Sequence, residues 1–478
     1  MSAATSEARS GGRIVRDLAA LVGAELVAKL AGFAAFAYLA RVLTPEHYGG
    51  VELAIQLALA LGMLVDFGLG PIGARAVAES ASRAARVARE IATLRLLLAC
   101  AAYAGAWLIA GAVDVRSDVR ALIRVVALSL FAAPFVSSWL FQGLGNMAWV
   151  AGGQLLRMCV FAALCALLVR ADEQLALVAV AELSAVFAMA GWYWIGQSRN
   201  VCRPGIGAPV VRLRALAAAA LPVGLSRVGT SIQQYAPTLA VAQLAGPSEL
   251  AWFAAAHRLV TSLGAFVEIQ LFNLYPQLVR AAASGGAGLR EAAAPSFRAS
   301  AWIGCSAALA ITLLAAPVLR LVFGAPFESA ALLLAVASWA LPLGLVGGHA
   351  RFALLAVGAQ RTELAATATG AALTLGAAWL LVPSFGSAAA AAALAAGAAA
   401  TWFAAHLLAR ARGLQMPVAA GLRALAAGAA IALGNAAFPA DGQLLRAALS
   451  LLLFAGAAAV FERELLRDAR RLIRRGLA

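Results

Sequence analysis

The sequence predicts an all-α polytopic membrane protein of about 14 transmembrane helices. Three observations carry that expectation. Apolar side chains make up 63% of the 478 residues and charged ones 12%, with a mean hydropathy of +0.88, whereas soluble domains run nearer half apolar and a quarter charged. The apolar residues come in runs of about 20 or more, enough to cross hydrocarbon as a helix. The basic excess, 37 Lys and Arg against 22 Asp and Glu, falls unevenly between alternate connections, as membrane topology requires.

In chain order, residues 1–16 are polar and carry Arg9, Arg13 and Arg16. The apolar run that follows is too long for a signal-peptide core, so an uncleaved first span is expected at 17–40. Further spans are expected at 49–72, 91–112, 119–142, 147–169, 174–196 and 216–243. Seven more follow at 250–279, 299–322, 328–356, 362–383, 387–409, 417–437 and 443–462. An even number of spans puts both termini on one side. The connections on that side hold 24 of the Lys and Arg, against 7 on the other, and the positive-inside rule then makes both termini cytoplasmic. The tail from Glu462 sets basic clusters among apolar residues at helical spacing, the pattern of a segment lying on an anionic leaflet.

Several function classes drop out. The only lysine, Lys29, stands in Ala-Lys-Leu, so the chain holds no Walker A loop. Five cysteines form no Cys-x-x-Cys pair and four histidines lie far apart, so no metal site and no cofactor are expected. The net charge is topology, and no nucleic-acid partner is expected. Connections on the outer side are only a few residues long, which leaves no room for the large catalytic loop of a membrane glycan enzyme. Transport is favoured over catalysis.

The chain also repeats itself. Pro45-Glu46-His47-Tyr48-Gly49 leads into a span that reaches Asp66, and Pro247-Ser248-Glu249-Leu250-Ala251 into one that reaches Glu268. The fourth span holds Pro134 and closes on Gly143-Leu144-Gly145-Asn146; the tenth holds Pro342 and closes on Gly358-Ala359-Gln360-Arg361. Two parallel six-helix repeats are expected, with the substrate path between them. The division is a cytoplasmic segment 1–16, an N-lobe 17–215, a C-lobe 216–410, a helix pair 411–462 and a basic tail 463–478.

At these residues the sequence resembles the polysaccharide flippases of the multidrug/oligosaccharidyl-lipid/polysaccharide superfamily. Tyr38-Leu39-Ala40-Arg41-Val42-Leu43-Thr44-Pro45-Glu46-His47-Tyr48-Gly49 and Asp66-Phe67-Gly68-Leu69-Gly70 with Arg75 carry the resemblance most clearly. Trp139 to Leu144 and Leu221-Pro222-Val223-Gly224-Leu225-Ser226 extend it. It implies two six-helix lobes in the V of the MATE transporters, plus the C-terminal helix pair. It also implies a protein of the cell inner membrane that flips an undecaprenyl-pyrophosphate-linked oligosaccharide outward by alternating access. Its partners would be that lipid-linked oligosaccharide, membrane lipids, and a polysaccharide polymerase with its chain-length regulator. A lipid II flippase, a multidrug extruder and, in another class, a membrane-embedded glycan enzyme stay open beside it.

Such a substrate has an anionic, hydrated head, and its passage needs cations facing phosphate inside the bilayer. Intramembrane charges cost roughly 2.5–3.5 kcal/mol each on insertion scales, so they face cavities or partners. The substrate-binding candidates are Arg258, Arg227, Lys29, Arg157 and Arg351, because the guanidinium fork matches phosphate oxygens; Tyr235 and Gln233 are candidates for the sugar. Relatives often carry an acid where this chain has Gln233-Gln234-Tyr235. A coupled antiporter needs a carboxylate that loses and regains a proton, and the candidates are Glu52, Glu182, Glu25, Asp66 and Glu268. Each has a plainer reading. Glu25 and Lys29 sit four apart on one helix face and would pair there, and Asp66 would contact Arg75 or another loop arginine. Trp139, Trp149, Trp192, Trp194 and Trp252 are expected as interfacial anchors.

Overall fold

A computed structural model describes residues 23, 26–282, 285–414, 416–437 and 442–462, with the backbone alone at 265–269, 272, 273, 276 and 287. All its regular structure is helical, because a backbone in hydrocarbon must bond to itself. Helix α1 is described over 26–42. It is followed by α2 (Pro45–Asp66), α3 (Leu69–Glu79), α4 (Ala84–Ala112), α5 (Ser117–Val126), α6 (Ser138–Gly143), α7 (Met147–Leu168), α8 (Leu175–Asn200) and α9 (Val210–Leu244). Then come α10 (Pro247–Ala282), α11 (Gly285–Phe323), α12 (Ala331–Ala337), α13 (Ala340–Ala356), α14 (Gln360–Phe385), α15 (Ser387–Ala411), α16 (Val418–Ala437) and α17 (Gln443–Phe461). Among the described residues 12 segments are long and apolar enough to cross a membrane; α1 and α10 occupy the first and eighth of the expected spans. The chain divides into two compact units between Val228 and Gly229, inside α9.

The repeated motifs recur as repeated geometry. Helices α2 and α10 both open on proline, Pro45 and Pro247, where the missing N–H would have had no partner anyway. The fourth and tenth expected spans are both broken. Instead of one helix over 119–142, α5 gives way to a 3-10 stretch, Ala127–Phe135, that contains Pro134, and α6 completes the crossing. Hydropathy registers lipophilicity and not helix continuity, and proline inside a helix removes a bond and clashes with the preceding turn. The tenth span likewise runs through a 3-10 stretch, Ala325–Ala330, then α12 and α13. Both close on the same cap. Asn146 and Ala359 each donate an N–H to the carbonyl five residues back, Phe141 and Leu354, at 2.8 Å. Gly145 and Gly358 supply the left-handed residue, at φ 71° and 73°, as this cap requires.

The expected span 49–72 also ends early. After Asp66 the backbone turns left-handed at Phe67 (φ 39°) and Gly68 (φ 76°), and α3 restarts at Leu69. A left-handed Phe is uncommon. Here it is held by packing, since a Cβ on Gly224 of α9 would come within 2.6 Å of the Phe67 ring.

The first unit's core gathers Leu69, Val77, Ile91, Leu140 and Ala220 around Trp139. Trp139 is only 3% exposed, which corrects its reading as an interfacial anchor. It is admitted by Gly73, where any Cβ would meet its ring. In the second unit Phe297, Trp302, Trp402, Ala424 and Phe454 tie α16 and α17 to α11 and α15. Outward, α16 and α17 expose Leu433, Leu444, Leu452 and Leu453, as a surface solvated by lipid allows.

Candidate functional site: charges within the membrane spans

Most of the intramembrane charges in the first unit are paired. Asp66 closes α2, where its Oδ1 accepts the Gly70 N–H at 3.1 Å and also meets Nη2 of Arg95 on α4. Arg95 Nη1 donates to the carbonyls of Ala133 and Val136, at 3.3 and 2.9 Å. Those carbonyls lie at the break around Pro134, so one guanidinium serves two interrupted helices. The expected contact of Asp66 with Arg75 is not the one formed. Arg75 is exposed and pairs with Glu79 at 2.9 Å. Arg95, grouped by sequence with the connection arginines, lies inside the α4 span and is buried.

Arg157 of α7 and Glu182 of α8 meet each other, Nη2 to Oε1 at 2.5 Å, with side chains 13% and 7% exposed. A substrate candidate and a coupling candidate thus form one buried pair. Glu52, fully buried on α2, accepts from Tyr48 Oη at 3.0 Å and from Gln56 Nε2 at 3.1 Å. Both donors sit one helical turn away, so α2 supplies the carboxylate with its own hydrogen bonds. Lys29 is half-buried on α1, while Glu25 lies outside the described residues. Arg227 is exposed on α9, and no hydrogen bond or ion pair is formed by it among the described residues.

In the second unit Arg351 of α13 grips one oxygen of Glu363 on α14 with both Nε and Nη2, at 2.8 and 2.6 Å, and Thr367 Oγ1 donates to the same oxygen at 2.9 Å. Arg258 is half-buried on α10. The side chain of Glu268 is outside the described set. Gln233 sends its Nε2 to the Gly397 carbonyl at 3.0 Å and to Thr401 Oγ1 at 2.7 Å, a helix-to-helix bond between α9 and α15. Tyr235, half-buried, lies two residues further on.

One cluster went unread in the sequence. His47, at the start of α2, has Nδ1 2.7 Å from Asp172 Oδ1 and Nε2 3.1 Å from Asp118 Oδ2. Asp172 also accepts from the Thr44 N–H at 2.7 Å and Asp118 from Arg116 Nη2 at 2.9 Å. The imidazole therefore joins three connections at one end of the first unit. Each partner is more than 70 residues away in the chain, and no spacing motif marks them.

Arginines and carboxylates placed inside spans of a two-unit helical membrane protein, with helices interrupted beside them, are the equipment of a transporter. A family described as polysaccharide biosynthesis protein matches residues 14–281. The chain belongs to that family. As a polysaccharide biosynthesis protein it shares its fold with several solved transporters. The lipid II flippase MurJ, in an inward closed conformation, aligns at TM-score 0.74 and 11% identity, over 93% of this chain and 99% of that one. An inward-facing multidrug resistance MATE family transporter of the MOP superfamily aligns at 0.65 and 18%, over 80% and 94%. A MOP superfamily transporter from Pyrococcus furiosus aligns at 0.54 and 15%, over 86% and 93%. At such identities the likeness speaks for the fold alone. No curated protein matches the chain.

Proposed function

We propose that this polysaccharide biosynthesis protein flips an undecaprenyl-pyrophosphate-linked oligosaccharide from the cytoplasmic to the outer face of the inner membrane by alternating access, with both termini cytoplasmic. The observation that carries the reading is that a polysaccharide family match and a transporter fold coincide on one chain. The family match supports a glycan as the class of cargo, and the fold supports transport as the operation. No enzymatic step is invoked, and the partners are the lipid-linked glycan, surrounding lipids and the polymerase machinery that consumes the product.

Within this reading Arg227, Arg258 and Lys29 are the first choice for phosphate, while Arg157 and Arg351 reach phosphate only by leaving Glu182 and Glu363. Glu52 and Glu182 are the coupling carboxylates, with Glu25, Asp66 and Glu268 in reserve. Gln233 faces sugar only if its bonds to Gly397 and Thr401 open, and Tyr235 is the second sugar candidate.

The test is deletion of the gene, followed by mass spectrometry of lipid-linked glycans and labelling with a probe that cannot cross the membrane. Accumulation of one complete glycan-pyrophosphate lipid on the cytoplasmic face is expected. Arg227→Ala and Arg258→Ala, expressed at normal level, should fail to restore export. Accumulated lipid II would move the assignment to that cargo, unchanged lipids with altered drug susceptibility would sink the flippase reading, and an unfinished glycan would point to an enzyme.

A further inference from the structure

Helix α4 begins as an amphipathic segment. Ala84, Val87, Ala88 and Ile91 are buried against the core around Trp139, which leaves Arg83, Arg86 and Arg89 exposed on the other face. The connection between α8 and α9 is fastened onto this same end. The Gly207 N–H donates to Thr93 Oγ1 at 2.8 Å, and Arg212 Nη1 donates to Glu90 Oε1 at 3.1 Å. That attachment adds Arg203, Arg212 and Arg214, all exposed, to the surface. Across 83–93 and 201–214 there are six arginines and one carboxylate, and Glu90 is already shared between Arg212 and, at 3.9 Å, Arg86. Membrane topology asks only for positive charge on one side; it does not ask that two distant segments be bonded together so that their arginines converge.

Apolar side chains stand among these arginines. Ile206, Val210 and Val211 are 55%, 63% and 79% exposed. A soluble anion would make no use of them. A ligand with a phosphate head and hydrocarbon chains satisfies both features at once. We propose that the start of α4, the 201–209 connection and the first residues of α9 form a docking site for an anionic membrane phospholipid. Its phosphate lies on Arg86, Arg89, Arg203 and Arg212, and its acyl chain runs along Ile206, Val210 and Val211. Glu90 holds the connection in place without neutralising the site.

The experiment is native mass spectrometry of the purified full chain titrated with phosphatidylglycerol or with phosphatidylcholine of the same acyl chains. Phosphatidylglycerol should be retained in preference. Arg86→Gln/Arg89→Gln/Arg203→Gln leaves the Arg212–Glu90 bond intact and should weaken retention about 100-fold, roughly fivefold for each charge. Val210→Ser/Val211→Ser keeps every charge and should also weaken it, which decides the matter if the arginine variant does not fold. Millimolar inorganic phosphate should not displace the lipid. Equal retention of phosphatidylcholine, displacement by phosphate, or undiminished binding in both variants would overturn the site.

Discussion

Arg95, buried, and Arg157, largely covered, both stand within spans of the first unit, each against a carboxylate, and each with an Nε that has no hydrogen-bond partner among the described residues. What surrounds them differs. Arg95 also carries the carbonyls of Ala133 and Val136, and its partner Asp66 carries the Gly70 N–H. Removing that pair would strip hydrogen bonds from two helix breaks at once. Among the described residues Arg157 holds only Glu182, across two continuous helices whose backbones satisfy themselves. A buried ion pair loses most of its Coulombic gain to desolvation. Its worth to the fold therefore depends on what else it bonds, and a pair that bonds nothing else is one that can open during a transport cycle without unravelling a helix.

The largest effect expected is at Arg95. Arg95→Met leaves Asp66 uncompensated and the Val136 carbonyl unpaired, and should cost about 3–5 kcal/mol in detergent unfolding measurements. Adding Asp66→Leu should not restore stability, because the Val136 carbonyl and the Gly70 N–H stay bare. Recovery of the double variant to wild-type stability would put Arg95 and Arg157 in the same class and end the distinction.

Arg157 should behave in the opposite way. Arg157→Met alone should cost about 3 kcal/mol, since it strands a buried carboxylate, whereas Arg157→Met/Glu182→Leu should return to within about 1 kcal/mol of wild type. The stable double variant should still fail to export glycan in a complementation assay. Normal export would make the pair packing alone and remove Glu182 from the coupling candidates.

The sequence announces three of these four charges and neither pairing. Asp66 stands in a recognisable motif and Glu182 is an acid in an apolar run, so both are legible as intramembrane carboxylates. Arg157 is legible in the same way, but the pairings are not, because Arg95 lies 29 residues from Asp66 and Arg157 lies 25 from Glu182, across turns whose register hydropathy does not set. Arg95 stands close enough to a connection to be counted with its basic residues. The interrupted fourth span had a visible signal in Pro134, which a hydropathy window passes over. Trp139 misleads for a related reason. Tryptophan is amphipathic enough for an interface, and only the neighbouring Gly73, remote in sequence, reveals the space that buries it. The repeat is the most legible feature of all, since Pro45 and Pro247, and Gly145 and Gly358, do the same local job in each half.

An uncharged seam gives the comparison its lower limit. Gln233 of α9 bonds Gly397 and Thr401 of α15, and Gly370 of α14 lies against both side chains. Thr401→Val keeps the shape and removes one acceptor. Gln233 retains the Gly397 carbonyl, so the loss should be only about 0.6 kcal/mol, the usual scale for a hydrogen bond between membrane helices. Gly370→Ala removes no bond, but its methyl group would occupy the space of Thr401 Oγ1 and Gln233 Nε2, and forcing the helices apart should cost about 1–3 kcal/mol. The order expected from unfolding in detergent is therefore Gly370→Ala well below Arg95→Met and Thr401→Val below both. If Thr401→Val instead cost as much as Arg95→Met, hydrogen bonding in this membrane interior would be worth as much as charge. The division between Arg95 and Arg157 would then have to rest on the bonds alone, with the ion pairs contributing nothing to it.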